Sequence, residues 1–173
     1  MDVLIRPETP EDHQAIFDII QRAFAPMPYA GGDEQWLPSR FRDANILACS
    51  LVAESDSAVI GQITLTPALS ADGSTGWYAI GPLAVEPALK HQGIGSMLMR
   101  AAIQWMLEQR ATGCVLVGNP DYYSRFGFRL YPDLAPAGEP AEFYQMLSFG
   151  DVEPDQVVYF HPMFYDDNAK SNA

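Results

Sequence analysis

Lys90-His91-Gln92-Gly93-Ile94-Gly95-Ser96 carries the densest chemical signal in the chain. It follows an apolar run ending in Leu83-Ala84-Val85 and precedes apolar residues at helical spacing, so it reads as a turn from a strand into a helix N-terminus. Gly93 and Gly95 remove side chains where backbone must come close to a ligand. At a helix start, the N–H groups of Gln92 through Ser96 lack intrahelical partners and point outward with the positive end of the dipole. Such a turn binds phosphate or pyrophosphate with few basic side chains, and Lys90 and His91 add local positive potential. Glycines that merely shape a turn would show the same spacing. A dinucleotide site would need Gly-x-Gly-x-x-Gly and an acid about twenty residues on. Here Leu98 replaces the third glycine, and the next strand ends in Val117-Gly118-Asn119 without an acid. The Gly-Lys-Ser/Thr of a P-loop is absent.

At these residues the sequence resembles the GNAT superfamily of N-acetyltransferases. That family's acetyl-CoA motif is Gln/Arg-x-x-Gly-x-Gly/Ala at a helix start, after a strand often reading Leu-Ala-Val-x-Pro. This chain has Leu83-Ala84-Val85-Glu86-Pro87 and then Lys90 to Ser96, with Lys90 where the family prefers Gln or Arg. A second family mark, a Tyr four residues before Gly-Phe, is present as Tyr123-Ser124-Arg125-Phe126-Gly127-Phe128. Asp121-Tyr122-Tyr123 and the closing Val158 to Phe164 look like the bacterial branch called YhbS-like.

The resemblance implies a fold and a set of roles. The fold is α/β, a GNAT-like mixed and mostly antiparallel central sheet flanked by helices. It implies one N-acetyltransferase domain over residues 1–165, with a frayed tail at 166–173. The backbone of the Leu83, Ala84 and Val85 segment would hold the pantetheine arm of acetyl-CoA, the acetyl donor. Lys90, His91, Gln92, Gly93, Ile94, Gly95 and Ser96 would hold the pyrophosphate, and Asn119 would help position the CoA arm. An amine would attack the thioester carbon, with the oxyanion held by a backbone N–H near Val85.

Two residues are singled out for proton transfer. Tyr123 is the expected acid for the departing thiolate, set against a purely packing aromatic. A base must take the amine's proton. Relatives often carry an acid on the central strand, but Tyr78-Ala79-Ile80-Gly81 offers none. Glu34 is the candidate, set against a solvated surface carboxylate; Glu86 reads as structural, and a water chain would serve as the relay in place of either. The missing base keeps a second function open, a non-catalytic acyl-CoA-binding regulatory module. His161 reads as structural before it reads as pocket lining. Cys49 and Cys114 stand in apolar runs as buried reduced thiols, so direct transfer is expected over a covalent enzyme intermediate. No Cys/His cluster has metal-ligand spacing, so no metal is expected.

These residues need elements to position them. Val3 to Pro7 predicts a first strand. Thr9-Pro10-Glu11-Asp12 starts a helix whose apolar face is Ile16, Phe17, Ile19, Ile20, Ala23 and Phe24. Gly31-Gly32 leads to a second helix over 33–42. Ile46 to Glu54 alternates, as does Val59-Gly61-Ile63-Leu65, and the second run predicts a half-buried strand with Gln62, Thr64 and Thr66 facing water. Ala71 to Ser74 signals a hairpin turn. Trp77 to Val85 reads as a central strand with both faces covered. The helix after it presents Ile94, Met97, Leu98, Ala101, Trp105 and Met106 and ends at Gly113. Shorter strands follow at 114–117, 126–130, 143–147 and 156–160.

With 48% hydrophobic and 18% charged residues, the 173-residue chain has the material of a globular core. The formal net charge is −12, which makes nucleic acid and anionic membranes poor partners and favours a cationic acceptor. The expected acceptor is a small-molecule or peptide amine. No apolar run reaches the ~20 residues of a membrane span. Residues 1–7 carry no basic lead, so no signal peptide is expected and the location is cytoplasmic. A monomer or homodimer is implied by the resemblance.

Overall fold

The structure, a computed structural model, describes residues 1–28, 30–151 and 153–165; the expected tail at 166–173 lies outside them. Among the described residues there are nine strands: β1 Leu4–Pro7, β2 Cys49–Ser55, β3 Ala58–Pro67, β4 Leu69–Ser70, β5 Trp77–Val85, β6 Gly113–Val117, β7 Arg129–Leu130, β8 Tyr144–Ser148 and β9 Val158–Tyr159. The α-helices are α1 His13–Phe24, α2 Leu37–Asp43, α3 Ile94–Glu108 and the single turn α4 Pro120–Tyr123. Seven strands form one sheet in the order β1-β2-β3-β5-β6-β8-β7, and β4 pairs separately with β9. β1 with β2, β2 with β3, β6 with β8 and β7 with β8 pair antiparallel, and β5 with β6 pairs parallel. The mixed, mostly antiparallel sheet is therefore the expected one, with β5 in its middle place. Two compact units share the chain, one of Met1–Leu65, Gly81–Ile103 and the segment from Pro162, the other of Thr66–Ile80 and Gln104–His161.

In the first unit, Ile16, Ile19, Ile20 and Ala23 of α1 pack on Val52 of β2 and Ala84 of β5. Each fully buried isoleucine is worth about 1.5–3 kcal/mol, so this stripe, not helix propensity, holds α1 in place. A Cβ added at Gly61 would meet Leu98 at 3.0 Å and Ile94 at 3.2 Å, so α3 lies close over β3 on the opposite face to Val52. Pro10 starts a 3₁₀ turn rather than the α-helix itself, and the Asp12 carboxylate accepts the Thr9 N–H at 2.7 Å. Arg6 grips the same carboxylate at 2.7 and 3.1 Å. Glu8 ties three elements together: Arg42 of α2 donates twice at 2.9 Å, His13 of α1 lies at 2.9 Å, and the Ser50 hydroxyl of β2 donates to it.

Several expectations are corrected here. β3 is not half-buried, because Gln62, Thr64 and Thr66 are all fully buried. Gln62 is tolerated there since its Nε2 donates to the Pro82 carbonyl at 3.0 Å and its Oε1 accepts the Thr64 hydroxyl at 3.0 Å. The predicted second helix begins as a 3₁₀ turn at Glu34–Trp36, and the α-helix starts only at Leu37.

In the second unit, β6 pairs with β8 from Gly113↔Ser148 to Val117↔Tyr144, and β8 pairs with β7. The turn at Ser70 to Gly73 forms, but Leu69–Ser70 pairs with Val158–Tyr159, so this segment is no tight hairpin between β3 and β5. Arg110, in the left-handed region at φ 58°, follows α3 in place of the predicted Gly113. Gly113 opens β6, where a Cβ would stand 2.5 Å from the Leu147 carbonyl and 2.6 Å from the Trp77 ring. The buried face of α3 is Ile94, Leu98, Met99, Ala102 and Met106, while Met97 is exposed.

Candidate active site

β5 delivers the chain to the predicted anion-binding turn. Its parallel register with β6 covers Trp77↔Gly113 to Ala79↔Val115, and the strand itself continues to Val85. Ala84 is buried toward α1, and the alternation leaves Leu83 and Val85 half-buried. The Glu86 N–H closes onto the Ile60 carbonyl at 2.8 Å, and its carboxylate takes Arg22 of α1 at 3.0 and 2.7 Å. Glu86 is thus structural, the alternative raised for it above. Arg22 went unnoticed in the sequence, because nothing local marks a partner 64 residues away.

Lys90, His91, Gln92 and Gly93 are exposed. His91 has φ 66° and Gly93 φ 85°, so two left-handed residues bracket Gln92. Turns of this type converge successive N–H groups on an anion. The first helical bond of α3 runs from Met97 N–H to Gly93 O at 3.0 Å. Among the described residues, the N–H groups of Gly93, Ile94, Gly95 and Ser96 therefore have no protein acceptor. Nothing lies within 4 Å of a Cβ built at Gly93, so the space beside it is open. These residues fit a phosphate-bearing ligand held by backbone amides.

The second unit holds Asn119 and Tyr123. Asn119 is exposed, and its Oδ1 caps α4 by accepting the Asp121 N–H at 2.9 Å. The Tyr123 ring stands edge-on to Tyr122 at 4.9 Å and to Phe128 at 6.0 Å. Its hydroxyl donates to none of the described residues. Burial, and then the neighbouring Tyr122, raise its pKa, so the phenol stays protonated at neutral pH.

Glu34 stands in the first unit. Its Oε2 accepts the Gly31 N–H at 2.8 Å and its Oε1 the Gly32 N–H at 3.1 Å. Both oxygens hold the Gly-Gly turn. Cys49 and Cys114 are free and buried; burial raises the Cys49 thiol to about 11 and Cys114 further. Neither supplies a thiolate at neutral pH. Among the described residues no cluster of His, Cys, Asp or Glu is placed to hold a metal ion. No helix among them is long and apolar enough to cross a membrane.

The model of the Acetyltransferase (GNAT) family matches residues 13–128. The chain belongs to the GNAT acetyltransferase family. This GNAT chain is 31% identical over 129 residues, 74% of its length and 74% of the relative's, to the uncharacterized N-acetyltransferase YhbS of Escherichia coli strain K12. Among solved structures it is similar to a GNAT acetyltransferase from Brucella melitensis in complex with acetyl-CoA. That likeness has a TM-score of 0.83 and 36% identity, and covers 94% of this chain and 98% of the other. The E. coli YhbS structure in complex with CoA matches with a TM-score of 0.85 and 25% identity, covering 96% and 93%. The family, the fold and the acetyltransferase class expected from residues 83–128 thus hold for this GNAT chain.

Proposed function

We propose that this GNAT acetyltransferase moves the acetyl group of acetyl-CoA to a primary amine by direct attack in a ternary complex. The observation that carries the proposal is the row of amides from Gly93 to Ser96, which have no acceptor among the described residues, at the start of the 15-residue helix α3. A pyrophosphate is the anion such a row fits, and the similar Brucella and E. coli proteins were solved with acetyl-CoA and CoA. The pairing of β5 with β6 stops at Ala79, which leaves the backbone of Leu83 and Val85 for the pantetheine amides. Lys90 and His91 add positive potential at the turn, against a chain charge of −12. We assign residues 1–165 to one acetyltransferase domain.

In the proposed reaction the neutral amine nitrogen attacks the thioester carbon. The C–N bond forms, the carbonyl oxygen takes negative charge near the Val85 N–H, and the C–S bond then breaks. Tyr123 gives its proton to the leaving sulfur; the amine's proton goes to water, and Tyr123 recovers a proton from solvent. The phenol carries its proton at neutral pH, as that role requires. Glu34 serves by holding the Gly31-Gly32 turn. The buried neutral thiols favour direct transfer over an acetyl-cysteine intermediate. The acidic surface draws in a cationic amine.

The test is release of free CoA thiol from acetyl-CoA with a panel of alkyl amines and peptides. Thiol release that depends on one amine class, with acetylated product, supports the proposal. Saturable acetyl-CoA binding without turnover across the panel would favour a regulatory acyl-CoA-binding module.

A further inference from the structure

We propose that Gly118 and the buried Gln145 are positioning residues that fix the hydroxyl end of Tyr123; the proposal deepens, and rests on, the assignment of Tyr123 as the acid. Gly118 is the first residue beyond β6, and its backbone is held on both sides. Its N–H donates to the Phe143 carbonyl at 3.1 Å. Its own carbonyl accepts Gln145 Nε2 at 2.8 Å, and the same nitrogen lies 3.4 Å from the Phe143 carbonyl. Gln145 is 1% exposed, so no water can replace a bond it loses.

The chain then folds back on this anchored residue. The Asn119 carbonyl accepts the N–H groups of Tyr122 and Tyr123, both at 3.1 Å. That single turn returns the Tyr123 ring to Gly118. A Cβ built on Gly118 would stand 2.5 Å from Tyr123 Cε2, 3.2 Å from Cδ2 and 3.4 Å from Cζ. The contact is centred on Cε2, the carbon next to the one that bears the hydroxyl, so the bare α-carbon of Gly118 is the wall against which that edge of the ring rests. Gly118 is not among the glycines with positive φ, so its backbone does not demand glycine; the ring does. Tyr122 and Phe128 flank the same ring edge-on. Gln145 places the wall, and the missing side chain at 118 sets how near the ring comes.

The test uses the full chain with ¹³Cε-labelled tyrosine, the Tyr123 signal being assigned by its loss in Tyr123→Phe. In Gly118→Ala and Gln145→Met the Tyr123 signal should move while that of Tyr131 stays. Thiol release with spermidine as amine probe should fall in both variants toward the Tyr123→Phe level, with acetyl-CoA Kd within about threefold of the parent, and Gly118→Ala/Tyr123→Phe should fall no further. A Tyr123 signal unmoved in both variants would overturn the proposal. A folding control keeps it decidable: Gly118→Ala should lower Tm in the parent and not in a Tyr123→Ala background, and equal loss in both contradicts it. If Tyr123→Phe turns over like the parent while Gly118→Ala displaces the ring, the acid assignment fails and the positioning stands. If Tyr123→Phe is slow while the ring stays put in Gly118→Ala, the reverse holds.

Discussion

Glu86 binds Arg22 through both carboxylate oxygens, at 3.0 Å to Nε and 2.7 Å to Nη2, joining the last turn of α1 to the residue where β5 gives way to the turn before α3. The pair is half-exposed on the arginine side, so it is worth only about 0.2–1 kcal/mol. Arg22→Ala should weaken acetyl-CoA binding by no more than about fivefold, and less at high salt. Titration at two salt concentrations checks this; a loss of a hundredfold would mean that Arg22 does more than brace the turn.

Tyr123→Phe removes one proton donor and leaves the ring contacts with Tyr122 and Phe128 in place. Turnover should fall by about 10²-fold or more, with acetyl-CoA affinity nearly unchanged. Single-turnover thiol release alongside calorimetric Kd separates the two quantities. Parent-level turnover would remove Tyr123 from the mechanism.

The thiols give a sharp negative expectation. Burial raises Cys49 to about 11 and Cys114 beyond it, so neither should react with iodoacetamide in the folded protein near neutral pH, and both should react after unfolding. Cys49→Ala with Cys114→Ala should keep turnover per folded molecule. Loss of turnover with a normal Tm would point to an acetyl-cysteine step.

Asp12 links acid stability to the strand β1 and helix α1 entry. Arg6 above all, against burial, holds its carboxyl at about 2, below the ordinary 3.8. Since the folded value is depressed, the stabilisation is complete above pH 3.8 and is lost as pH falls from there toward 2. Glu8 acts in the same sense: burial works to raise it, and the bonds from Arg42 and Ser50 outweigh that and lower it below 4.5. At neutral pH, Asp12→Asn should lower Tm by roughly 3–8 °C. The gap to the parent should close as pH falls through that window, as thermal melts across acid pH will show. A gap that stays constant to pH 2 would contradict the linkage.

Legibility in the sequence followed range. The β5 run, the Gly93-x-Gly95 helix start and Tyr123 before Gly127-Phe128 are local patterns, and each marked its own element. The burial of Gln62 and Thr64 was not legible, since alternation on β3 looks the same whether the polar face meets water or a second layer; only the Pro82 carbonyl 20 residues on explains it. That Glu34 takes the amides of Gly31 and Gly32 was not legible, since nothing in Gly31-Gly32-Asp33-Glu34 says which of the two acids turns back on them. Gly118 read as an ordinary strand end, and its reason is the ring of Tyr123. Arg22 and Gln145 had no signal, their partners being 64 and 27 residues away.

The measurement that bears most directly on the central claim is calorimetric titration of acetyl-CoA into the purified parent and into Gly95→Glu. The parent should bind saturably at one site, and the variant, with a side chain and a negative charge at the start of α3, should show no binding. Equal affinity in both, or no binding by the parent, would contradict the assignment of the Gly93 to Ser96 amides as the pyrophosphate site.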